Sequence, residues 1–97
     1  MVKAEAVAAL AIITAEDAAG KATKKFYRMD KALTAGLSDL CRTIRQEGEN
    51  KAHGILYREP VEETRALVDL ASKMQRQQRR IRELDEIVRT LKGGFDG

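Results

Sequence analysis

The sequence predicts an all-α fold, a long antiparallel helical hairpin with a coiled-coil seam that assembles as a homo-oligomeric bundle. Three observations lead there. Apolar residues recur at helical spacing in both halves of the chain, a glycine-containing loop separates the halves, and two helices alone cannot enclose a core. With 97 residues, 43% hydrophobic and 34% charged, the chain is expected to form a single helical domain over 1–97.

The first helix is read from Phe26, Met29, Leu33, Leu37, Leu40 and Ile44, which follow at steps of 3, 4, 4, 3 and 4. At 100° per residue they share an arc of roughly 80°, with Lys21, Lys24, Lys25, Arg28 and Lys31 on the opposite side. The same phase meets Ala22, Ala19, Ala15, Ala11, Ala8 and Ala4 toward the N-terminus, so a helix over about 3–46 is expected. Gly20 and Gly36 each cost a helix roughly 1 kcal/mol against Ala. Thr14 could act as a fresh cap, so a break between Thr14 and Gly20 is the alternative.

Gly48, Asn50, His53 and Gly54 interrupt the pattern and place the interhelical loop at 48–59. Pro60 suits the first turn of a second helix, and Glu59, Glu62 and Glu63 put negative charge where its dipole favours it. Gly93 and Gly94 are expected to close that helix, giving 60–92 and a flexible tail at 93–97. Within it Leu67, Met74, Ile81 and Val88 repeat every seven residues. Leu70, Gln77, Leu84 and Leu91 follow three residues after each, so seven of the eight seam positions are apolar.

Each helix of such a pair hides only one stripe, which predicts self-association as a dimer or higher oligomer. A parallel two-stranded coiled coil through 60–92 is the competing geometry, since Ile81 and Val88 alternate with Leu84 and Leu91. Val7, Leu10 and Ile13, with the alanines around them, make the first turns apolar on nearly every side, a candidate docking surface for a protein partner. Ile55, Leu56 and Tyr57 either tuck beneath the hairpin end or form a second docking site.

Net charge is only +3, which singles out no partner class. Two basic strips are nevertheless candidate nucleic-acid contacts: Lys21, Lys24, Lys25, Arg28 and Lys31 on the first helix, and Lys73, Arg76, Arg79, Arg80 and Arg82 on the second. Asp69, Glu83 and Glu86 stand four residues from Lys73, Arg79 and Arg82, where they could neutralise much of the second strip. One Cys, Cys41, leaves no intrachain disulfide, and His53 is the single imidazole, too few for a structural zinc set. Cys41 has no base near it in sequence, and no phosphate-binding glycine loop or zinc-protease motif occurs. No enzyme activity, catalytic residue, metal, cofactor, small-molecule substrate or membrane partner is therefore expected. The run from Val7 to Ile13 has the character of a signal-peptide core, but Lys3 is a thin basic region and Glu16-Asp17 crowds the cleavage position, so a cytoplasmic location is expected.

Leu70, Met74, Arg79, Ile81 and Leu84 resemble, at matching spacing, the second helix of the hairpin core in small terminase subunits of tailed phages. The likeness spans residues 70–84, and no helix-turn-helix precedes it as in many of those subunits. It implies an oligomeric, non-enzymatic DNA-packaging subunit. The residues themselves favour a different reading, a self-associating helical adaptor that binds another protein, of the secretion-chaperone or anti-activator kind. DNA or RNA is the second choice of partner.

Overall fold

The computed structural model describes the backbone of Val2–Asp96 and the side chains of residues 3–94. Two helices make up almost all of it: α1, Val2–Ala52, of 51 residues, and α2, Val61–Asp96, of 36. They pack against each other as an all-α hairpin, and no strand occurs among the described residues. Both helices contribute to two compact units. Unit 1 joins Met1–Tyr27 to Gln75–Gly97, and unit 2 is the continuous stretch Arg28–Met74.

The helix ends differ from the sequence expectation, and the reason is conformational. Gly20, Gly48, Gly93 and Gly94 all lie inside helices, and the one residue with positive φ among those described is Gly54, at +70°. A glycine in helical conformation costs about 1 kcal/mol, whereas a glycine in the left-handed region ends the helix. Gly54 does so with two hydrogen bonds: its own N–H donates to the Lys51 carbonyl at 3.2 Å, and the Ile55 N–H donates to the Asn50 carbonyl at 2.8 Å. This Schellman pairing lets α1 run past Gly48 to Ala52 and shortens the loop to 53–60. There is no break between Thr14 and Gly20, because the Thr14 hydroxyl donates back to the Leu10 carbonyl at 2.8 Å instead of capping a new helix. α2 opens at Val61, with the Pro60 carbonyl accepting the Thr64 N–H at 3.1 Å and its hydroxyl at 2.7 Å. It continues through Gly93 and Gly94 to Asp96, so the tail expected at 93–97 is helical over its described part; Gly97 and the side chains of Phe95 and Asp96 lie outside the described residues.

In unit 2 the inward positions of α1 are Met29, Leu33, Gly36, Leu40, Thr43 and Glu47, all half-buried. Those of α2 are Leu67, Leu70 and Ala71, half-buried, and Met74, buried. The inward set keeps the seven-residue interval Met29, Gly36, Thr43, so Leu37 and Ile44, expected on the stripe, stand one residue beyond it. That offset turns each by about 100°. They are 48% and 52% exposed. The place of Leu37 is taken by Gly36, over which the Leu67 side chain sits so closely that a β-carbon there would strike its Cδ2.

In unit 1 the inward face of α1 is almost entirely alanine. Ala8, Ala11, Ala15, Ala18 and Ala19 are half-buried and Ala22 is buried, with Ile12 and Phe26 the larger half-buried members. Opposite them α2 turns Gln77, Ile81, Val88 and Leu91, half-buried, and Leu84, buried. Ala22 leaves its backbone accessible, and the Gln77 amide donates to the Ala22 carbonyl at 2.8 Å. The polar member of the α2 series is thereby satisfied. Lys92 and Glu16 add a cross-helix ion pair at 3.1 Å.

Glycine positions give a direct check on this packing. Gly20→Ala, facing open space, should raise stability by about 1 kcal/mol. Gly36→Ala should fall short of that gain, because the Leu67 methyl must move. Equal gains in chemical denaturation would show that Leu67 is not seated on Gly36. Leu84→Ala should cost roughly 2 to 5 kcal/mol.

Candidate interaction surfaces

The hairpin hides little of its apolar surface. Its buried apolar residues are Ala22, Met74 and Leu84, and no described side chain is fully enclosed. Four surfaces result.

The first lies on one flank of unit 2. Leu37 and Ile44 follow the inward positions Gly36 and Thr43 by one residue, and Val61 and Val68 follow Pro60 and Leu67 in the same way. Equal offsets on two antiparallel helices fall on the same flank. There Ile44, Pro60, Val61, Thr64 and Val68, with Glu59 and Arg65 at the edge, line an open groove of about 590 Å³, and Leu33, Leu37, Leu40, Thr64 and Ala71 line its continuation. Val61 and Val68 are 50% and 59% exposed. Cys41, four residues from Leu37 and three from Ile44, is exposed on this strip. In a chain with 34% charged residues, the α1 strip Thr34, Leu37, Cys41, Ile44, Gly48 carries no charge. Val61 and Val68 did not stand out in the sequence because the larger Leu67 and Leu70 dominated the repeat; their own spacing of seven was the available signal.

The second surface is the start of α1, where Val7, Leu10 and Ile13 are each about two-thirds exposed. On α2 of the same unit, Ile87 is also exposed.

The third is the loop. Ile55, Leu56 and Tyr57 do not tuck beneath the hairpin end; all three are exposed, and Leu56 almost wholly so. Residues that sequence reading passed over hold the loop in place. The Arg58 N–H donates to the Glu47 carboxylate at 2.7 Å, and its guanidinium grips Glu63 through Nη1 to Oε1 at 3.2 Å and Nη2 to Oε2 at 2.7 Å. The hydrogen bonds from Arg58 hold the Glu63 carboxyl below the usual carboxylate range, with its own backbone N–H assisting. The same contact raises Arg58. The Lys51 ammonium lies 5.3 Å from the Tyr57 ring centre. His53 is exposed in this turn.

The fourth surface is basic. Unit 2 carries equal numbers of acidic and basic residues, so the net charge of +3 belongs to unit 1. The i,i+4 neutralisation open to the second strip does not form. Arg80 pairs with Glu83 at 3.8 Å and Lys21 with Asp17 at 3.1 Å, whereas Lys24, Lys25, Arg76, Arg79 and Arg82 make no ion pair among the described residues. Of the other candidate bases, Arg28, Lys31 and Lys73 belong to unit 2 and are exposed.

Among the described residues no group of three or more His, Cys, Asp and Glu side chains is placed to hold a metal ion. None of the helices is long and apolar enough to cross a membrane. Comparison with protein-family models, with curated proteins and with solved structures finds no match.

The Arg58 clasp sets a pH dependence. A carboxyl whose folded-state pKa is lowered stabilises the fold fully above its unfolded pKa, and that contribution is lost as pH falls through the folded value. Glu63→Gln should therefore lower Tm at neutral pH, and the difference from wild type should close in acid below the ordinary carboxylate range. A Tm difference that stays constant down to strong acid would rule out the clasp as its source.

Proposed function

We propose that the protein is a self-associating helical adaptor that binds another protein, with copies meeting through the apolar flank of unit 2. Surface area carries the self-association reading. The chain exposes 7769 Å², whereas a compact monomer of 10.8 kDa exposes about 5,500 Å². The excess, about 2,200 Å² by that relation, exceeds the roughly 800 Å² per partner of a standard interface and suits an obligate oligomer. A second copy supplies what the groove lacks, because its own flank is mostly apolar, its α1 strip carries no charge to desolvate, and the Glu59 and Arg65 that edge the groove are opposite in sign. A bundle of hairpins of this sort uses the intrachain packing already present.

The start of α1 is left for a partner of a different sequence. Val7, Leu10 and Ile13 form an apolar surface with few charges nearby, suited to the groove or apolar helix of another protein. An adaptor that carries such an arm on a multimeric core presents several copies at once, which raises avidity without new contacts.

Light scattering should find a multimer at micromolar concentration. Ile44→Asp with Val68→Asp should lower the mass to that of one chain while the helical circular dichroism persists, since both residues are exposed in the hairpin. A folded wild-type species of 10.8 kDa would refute self-association. Leu10→Asp should leave the mass unchanged and remove a protein that co-purifies stoichiometrically with the wild type.

A further inference from the structure

We infer that Lys21, Lys25, Arg76 and Arg80 form one composite site in unit 1 that takes the phosphate backbone of a nucleic acid. In the sequence these residues belong to two strips about fifty positions apart, either of which could act alone. The hydrogen bond from Gln77 to Ala22 brings the two strips to the same level of the hairpin. Lys21 and Arg76 each precede that contact by one residue, and Lys25 and Arg80 each follow it by three. At 100° per residue these offsets lie within about 40° of each other, and equal offsets on antiparallel helices share a flank. The four cations thus stand together on one side of unit 1, with Lys24 and Arg79 on the backs of the two helices beside them.

The acids nearby do little to quench the cluster. Asp17 reaches Lys21 and Glu83 reaches Arg80 in pairs more than half exposed on both sides, which a stronger anion can displace. Lys25 and Arg76 make no ion pair among the described residues. Four residues rise about 6 Å along a helix, and packed helices lie about 8 to 10 Å apart. The array therefore meets several phosphates of one strand together, and each contact releases counterions.

A lipid surface is the less suitable anion. Interfacial binding combines bases with apolar side chains that insert between lipids. The large exposed apolar residues of unit 1 are Val7, Leu10, Ile13, Tyr27 and Ile87; Tyr27 is turned about 200° from Lys25, which leaves Ile87, one heptad beyond Arg80, as the one that shares the cluster's flank within two turns of it. The site does not depend on the apolar flank of unit 2, so its failure and that of the adaptor reading are separable.

Fluorescence anisotropy with a short DNA duplex and a single-stranded RNA tests the inference. Four phosphate contacts on duplex DNA give a log Kd against log salt slope of about 3.6 in magnitude, a loss of roughly 10²-fold in affinity between about 50 and 200 mM salt. Lys21→Glu with Lys25→Glu, and Arg76→Glu with Arg80→Glu, should each remove most binding while helicity and oligomer mass persist. The milder glutamine pairs should each reduce the slope by about half. Arg42→Glu with Arg45→Glu, equally basic losses in unit 2, should leave affinity within about threefold. Binding weaker than about 10⁻⁴ M for both nucleic acids at low salt would overturn the site. So would indifference to one of the two pairs, an equal loss from the unit 2 control, or binding confined to phosphatidylserine vesicles.

Discussion

A pair of helices can shield only the stripe along which they meet, and most of this molecule follows from that geometry. Side chains off the stripe stay in water, which is why Ala22, Met74 and Leu84 alone make up the buried apolar set among the described residues. Stability must then come from contact quality along a narrow line. In unit 2 that line is built from large side chains meeting a glycine, and in unit 1 from large side chains meeting alanines. Both arrangements seat bulk against absence of bulk, the pattern by which two helical surfaces interdigitate. The remaining apolar surface stays exposed in the single chain.

Polar groups along the line are handled locally. The hydroxyls of Thr23 and Thr43 donate to carbonyls four residues back, at 2.9 and 3.1 Å, so each half-buried threonine meets its own need within α1. Gln77 is different because its partner is on the other helix. A seven-residue repeat looks alike to itself after a shift of one heptad, and apolar positions cannot by themselves distinguish the registers. Leu67 over Gly36 and Gln77 on Ala22 do distinguish them. A slip of one heptad along α1 would set Leu67 against Met29 or Thr43, both too large to receive it.

Element type and hairpin order were legible in the sequence because the apolar spacing is strong in both halves. On α2 the phase shared by Leu67 through Leu91, expected from the sequence to form an oligomer seam, is the face turned toward α1 within the chain, and Ala71 joins it without a hydrophobic signal of its own. The α1 face was read correctly at Phe26, Met29, Leu33 and Leu40 and misplaced at Leu37 and Ile44, where the inward residues are a glycine and a threonine that carry no hydrophobic signal. Ends were the least legible. Gly48 and Gly54 are the same residue type, and only backbone conformation separates an interior glycine from a terminating one. The two basic strips were visible as strips, but their shared level depends on register, which Gln77 and Ala22 reveal only once the helices are paired. The Arg58 clasp joins residues 47, 58 and 63 across a turn whose shape the sequence leaves open.

The division into units has a consequence for how the chain reaches this state. Unit 2 is one uninterrupted stretch closed by the Gly54 cap and the Arg58 clasp, so its contacts join residues near one another along the chain. Unit 1 unites the two ends, and its hydrogen bond from Gln77 to Ala22 spans 55 residues. Closing a loop of that length from an unfolded chain carries a large entropic penalty, and the penalty shrinks once unit 2 has already folded the intervening segment back on itself. Closure from the turn toward the termini is therefore the entropically cheaper order. In that order the basic cluster and the apolar start of α1 are assembled last.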